Sequence, residues 1–241
     1  LRLPLEFGWV MGKRDTNRDE KRQLIVTTAR KLMQVREVSD FSMRTLAEVA
    51  GVSSATPYAL FGSKQALIAA VMDTDFADFM TALTAEPNQG FDVFFRLVDV
   101  TAELFEKNPG YYSTGAQAIQ ATTDQTLTSH FSLPRHGLFK DLVSDAIQRG
   151  EICHQINPDS LALNLGHQFY GWIQAWAKGN ITLPDMVART KYGLGLGLAA
   201  VATEASRAQL LEQVVAIQAT LPEAGVLKTK PTPNKKQEAV S

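Results

Sequence analysis

Apolar residues recur at helical spacing along most of this chain, and strand-like alternation is scarcely present. Ile25, Ala29, Leu32 and Met33 form one face of a first helix. Leu46, Ala47 and Ala50 form the seam of a second, with Ser42 placed to cap it and Gly51 placed to end it. Ser53 and Ser54 are both suited to cap a third, short helix over 54–61, and Val52 is sized to fill the corner between the two. Further helices are predicted over 63–83, 91–107, 111–121, 134–149, 157–177, 183–202 and 207–221. Each is bounded by turn or cap residues such as Asn108-Pro109-Gly110, Asn157-Pro158-Asp159 and Leu183-Pro184-Asp185. The stretch 122–133 is polar and threonine-rich and is read as a connection.

The pattern gives an all-α chain of four parts. Residues 1–18 form a flexible segment, basic from Lys13; 19–64 form a helix-turn-helix domain; 65–221 form a larger helical domain; and 222–241, with three prolines and four lysines, form a flexible tail. The first ten residues carry no long apolar core of a secretory signal and are set aside from the fold.

Two closely joined helices of this kind are the plan of a DNA reader. Arg44, Thr45, Ser53, Ser54, Ala55, Thr56, Tyr58 and Lys64 are the candidate contacts. Short polar residues at a helix start suit a phosphate, because unpaired N–H groups and the helix dipole both favour an anion there. An alanine or threonine methyl can meet a thymine methyl in the major groove. Lys64 opens the next helix, where a cation is poorly placed for the dipole, and a phosphate partner accounts for it better. Each residue also has a plainer role: Ser53 as a cap, Phe61 as core, Arg44 as a solvated cation.

These residues resemble the N-terminal domain of the TetR family of transcriptional regulators over about 19–71. The elements that carry the likeness are Leu46-Ala47, Ala50 to Ser53, Thr56-x-Tyr58-x-x-Phe61, and Lys64 before Ala66-Leu67. Departures from the usual pattern are Ala55 before the threonine, Pro57 after it, and Ala59 and Leu60 before the phenylalanine. Pro57 is tolerated in a first turn, whereas deeper it costs about 3 kcal/mol, so the helix starts no earlier than Ser53. The resemblance implies a three-helix DNA-binding domain followed by a helical domain that binds a small effector and dimerises.

Charge agrees with that division. Residues 1–64 hold 11 Lys or Arg against 7 Asp or Glu, net +4, whereas residues 65–227 hold 9 against 17, net −8. A basic head on an acidic body orients a chain toward nucleic acid. Lys13, Arg14, Arg18, Lys21 and Arg22 add a basic arm that either follows the DNA backbone or merely solubilises the chain.

In the larger domain, Phe94, Phe105, Tyr112, Gln117, His130, Phe131, Phe139, His167, Tyr170 and Trp172 are the candidate effector-pocket residues, although aromatic residues line cores as readily as pockets. Tyr170, Gln174 and Ala177, with Leu194, Gly197, Leu198 and Val201, are the candidate dimer interface; the other reading is ordinary packing within the chain. The single cysteine, Cys153, permits no intrachain disulfide and no cysteine-based zinc cage. The four histidines show no metal-ligand spacing and no phosphate-binding glycine loop occurs. The expectation is therefore a cytoplasmic, non-enzymatic homodimer with no cofactor, no metal and no membrane segment. It binds an operator in double-stranded DNA and is released by a small, largely apolar effector, so that it acts as a repressor. An activator of the same architecture, or a helical protein-interaction module, is the alternative.

Overall fold

The computed structural model describes the backbone of residues 13–35, 42–85, 90–121 and 125–221, and the side chains of 17–34, 42–85, 90–121 and 135–221. Ten helices follow one another along these residues: α1 (Lys13–Val35), α2 (Met43–Ala50), α3 (Thr56–Phe61), α4 (Lys64–Thr84), α5 (Asp92–Lys107), α6 (Pro109–Gln120), α7 (Gln125–Gln148), α8 (Pro158–Ala177), α9 (Leu183–Val201) and α10 (Glu204–Gln218). An isolated bridge pairs Ile152 with Ala202, and no strand occurs among the described residues. The tail at 222–241 and the first twelve residues lie outside the described part.

The chain divides into two compact units, residues 1–75 and 76–241. In unit 1, α1 buries Ile25, Ala29 and Met33, and α2 buries Met43, Leu46 and Ala47. The unit extends past residue 64 because the first half of α4 belongs to its core: Leu67, Ile68, Val71 and Met72 are buried there. Helix α1 starts at Lys13, so the basic stretch up to Arg18 is helical, contrary to the flexible segment expected there. No glycine or proline interrupts 13–35.

Unit 2 is built around α5, whose Phe94, Leu97, Val98 and Val100 are buried against a core that includes Leu165 of α8, Leu194 and Leu198 of α9, and Leu210 and Val214 of α10. Local signals set its helix starts. Asn157 Oδ1 accepts from the Ser160 N–H at 2.9 Å, and Thr182 and Asp185 form a reciprocal capping box at the start of α9. Helix α7 begins at Gln125 and runs through Pro134, so part of the stretch read as a connection is helical. A proline inside a helix removes one backbone donor, and the helical flanks on both sides carry the chain through.

Candidate nucleic-acid interface

The turn between α2 and α3 is fixed by three local hydrogen bonds, and a fourth caps the start of α2. Ser42 Oγ accepts from the Thr45 N–H at 3.0 Å and so caps α2. At the other end Gly51 adopts φ 67° and ψ 32°, the left-handed region that glycine enters without a Cβ penalty. Its N–H donates to Glu48 O at 3.3 Å, and the Val52 N–H donates to Ala47 O at 3.0 Å. These two bonds are a Schellman closure, which ends α2 and turns the chain into α3. Thr56 N–H then donates to Ser53 O at 2.9 Å.

The start of α3 differs from the sequence expectation. Ala55, in αR geometry, is the cap position and makes no side-chain cap bond. Ser53 does not cap α3 with its side chain: its Oγ lies 2.8 Å from Thr56 Oγ1, so the two hydroxyls satisfy each other. Pro57 lies in the first turn, buried, where its missing N–H costs little. Tyr58 projects outward, 55% exposed. Ser54 and Ala55 are exposed, and Thr45 and Thr56 half-buried. Arg44 is exposed and paired to Glu48 at 3.2 Å, a surface pair one helical turn apart. Ser63 Oγ accepts from the Ala66 N–H at 3.1 Å and caps α4, which leaves Lys64 as its first residue.

A cleft of about 610 Å³ separates the N-terminal part of α1 from the turn and α3. Asn17, Arg18 and Lys21 line it from α1, facing Ser53, Ala55 and Thr56. It thus sets two cations opposite the short polar residues of the turn, an arrangement suited to a polyanion's backbone. Sequence reasoning places Arg18 and Lys21 in an arm of uncertain use. Their spacing on one helical face becomes visible only once α1 is known to extend to Lys13.

Unit 2 brings some of the predicted pocket residues together and separates others. The ring of Phe105 stacks on Trp176 at 4.5 Å and on Tyr112 at 5.0 Å. Phe139 meets Phe169 at 5.7 Å, and Phe169 meets Tyr170 at 5.3 Å. Phe94 and Phe139 are wholly enclosed in the core. Burial pushes the Tyr170 phenol well above its ordinary pKa, and the positive charge of Arg135 pulls it the other way. Trp172 is half-buried, with the Arg189 guanidinium 5.6 Å from its ring. Gln117 Nε2 donates to Ala177 O at 2.7 Å, and Gln174 Nε2 donates to Ala116 O at 3.0 Å, so both amides pin α6 to α8. His167 is exposed, its Nδ1 2.7 Å from Leu163 O one turn earlier on the same helix. The side chains of His130 and Phe131 lie outside the described residues.

Of the residues expected at a dimer interface, Leu194 and Leu198 are fully buried and Ala177 nearly so, within the chain's own core. Gly197 packs against α8: a Cβ there would lie 3.1 Å from Leu165 Cδ2. Tyr170, Gln174 and Val201 are half-buried. The large apolar residues that α8 and α9 do expose are Leu163 and Leu196, and α10 adds Leu211 and Val215.

Among the described residues, no cluster of three metal-ligating side chains occurs, and no helix is long and apolar enough to cross a membrane.

Residues 25–71 match the profile of "Bacterial regulatory proteins, tetR family". The chain is similar to the HTH-type transcriptional regulator EthR of Mycolicibacterium smegmatis, with 24% identity over 117 residues; the match covers 44% of this chain and about half, 51%, of that relative. Its fold is similar to that of a TetR transcriptional regulator from Rhodococcus sp. RHA1, with TM-score 0.61 and 19% identity, covering 75% of this chain and 97% of the other. It is likewise similar to Thermus thermophilus FadR, a TetR family transcriptional repressor solved with lauroyl-CoA, with TM-score 0.63 and 17% identity, covering 74% and 93%.

Proposed function

We propose that this chain, whose residues 25–71 match the tetR family profile, is a TetR-family regulator: a homodimeric, sequence-specific DNA-binding repressor whose hold on its operator is weakened by a small, largely apolar effector. The observation that carries this reading is the tightly closed turn at Gly51, which presents exposed Tyr58 beside a cleft lined by Arg18, Lys21, Ser53 and Thr56. Phosphate contacts from the cations would set register, and Thr45, Ala55, Thr56 and Tyr58 would meet base edges or the backbone.

One short reading helix spans only a few base pairs, so two copies on a near-palindrome are needed for specificity. Exposed Leu163 and Leu196, on two helices that pack against each other, support a subunit contact through α8 and α9. The stacked Phe105, Tyr112 and Trp176, with half-buried Trp172, support an apolar or aromatic effector in unit 2. Such an effector must bind the DNA-released state more tightly than the DNA-bound one. A coupling of about 1 to 3 kcal/mol weakens operator binding roughly 5- to 150-fold, enough to switch a promoter.

The sign of regulation is tested with a reporter placed behind the selected operator, compared in cells with and without the gene. Repression predicts higher expression without the gene, and a drop in expression there makes the protein an activator.

A further inference from the structure

We infer that Arg22 is a positioning residue that anchors the C-terminal end of the reading helix α3 to α1, and is not itself a DNA contact. The importance of α3 for DNA rests on the function proposed above; the anchor itself does not. Arg22 Nη1 donates to Leu60 O at 3.1 Å, and its guanidinium carbon lies 4.4 Å from the centre of the Phe61 ring. Both partners are in the last turn of a helix only six residues long.

A helix of that length does not hold itself. Forming its first turn is costly, and isolated helices below about 12 residues are marginal even with favourable sequences. Its start has no side-chain cap bond. At its end the final carbonyls have no intrahelical donor. Gly62 N–H closes on Tyr58 O at 2.8 Å, and Arg22 supplies the donor for Leu60 O from a different helix. A cation at this end also agrees with the helix dipole.

The chemistry suits arginine and not lysine. A planar guanidinium donates in its plane while its face lies on an aromatic ring, whereas an ammonium is a compact charge that cannot reproduce both contacts at once. Neighbouring Arg18 and Lys21 line the cleft opposite Ser53 and Thr56, so the basic stretch divides by role: two cations face the cleft and Arg22 is committed to α3. Tyr58 lies on the same short helix, and its direction depends on where that helix is held.

The test compares the full chain with Arg22→Met and Arg22→Lys, using Arg18→Ala as the reference for a cleft cation. Without DNA, hydrogen exchange is expected to speed up over 58–62 in both Arg22 variants while α2 is unchanged. With DNA, both variants are expected to lose about tenfold in specific affinity, the scale of one misread base pair, and clearly less in non-specific affinity, while the salt slope stays as in the unsubstituted chain. A mere loss of folded protein would lower both affinities by the same factor and contradict the inference. A phosphate contact would do so differently: Arg22→Met would reduce the salt slope by about one, Arg22→Lys would bind like the unsubstituted chain, and exchange over 58–62 would not change. If exchange responds as expected but no sequence is bound specifically by any form, the anchor stands and the DNA-reading proposal fails.

Discussion

The Arg30 guanidinium meets the Asp75 carboxylate at 2.5 Å, joining α1 to α4 inside unit 1. Asp75 is almost wholly buried, its side chain 6% exposed, while Arg30 keeps 30% of its surface. Removing the arginine takes the opposite charge away from a buried carboxylate; removing the carboxylate leaves a cation that still reaches water. Arg30→Met is therefore expected to destabilise the chain by roughly 3 kcal/mol, and Asp75→Asn by clearly less. Urea unfolding followed by far-UV circular dichroism checks the order, and equal losses would show that burial of Asp75 is not the controlling factor.

Gly195 of α9 leaves no room for a side chain. A Cβ there would come 2.6 Å from Val214 Cγ2 of α10 and 3.5 Å from the Phe95 ring of α5. Gly195→Ala is expected to lower stability by about 1 to 3 kcal/mol through overpacking, although alanine is the better helix former. A rise in the urea midpoint would mean that the three helices can shift apart at little cost.

Tyr170 makes stability depend on alkaline pH. Burial raises the folded-state pKa of its phenol above the unfolded value, so the neutral form is favoured in the folded chain. Its contribution is complete below the unfolded pKa of about 10 and is lost as pH rises from there toward the higher folded value. Tyr170→Phe should flatten that decline, which urea midpoints on either side of about pH 10 will measure. An unchanged decline would assign it to other groups.

Some of the chain is legible from sequence because the signals are local. Ser42, Gly51 and Asn157 act on backbone groups within a turn of themselves, and each does in the structure what its position predicts. Other features depend on distant partners. Leu194 and Leu198 read as apolar surface for a second copy, but the same residues serve equally well against α5 and α10, and the helix period cannot tell whose surface covers them. Ser53 has the chemistry of a cap, yet a hydroxyl at Thr56 takes its hydrogen bond. Arg22 reads as one more cation in a basic run, and the separation of Arg30 from Asp75 along the chain hides their pairing.

The two residues flanking the end of α3 should separate contact types. Tyr58→Ala is expected to weaken binding to all DNA sequences with no change in salt slope, since a phenol releases no counterion; Lys64→Ala is expected to reduce the slope by roughly one. Fluorescence anisotropy titrations across a salt series read both. An unchanged slope for Lys64→Ala would remove it from the phosphate contacts.

Whether unit 1 reads a DNA sequence is decided by selection of bound fragments from a random duplex pool, followed by competition against bulk DNA at near-physiological salt. A short near-palindrome bound about a thousandfold or more above bulk DNA is the predicted result. Salt-sensitive binding with no preferred sequence would contradict it, leaving the helix-turn-helix as a fold element in a non-specific binder or an interaction module.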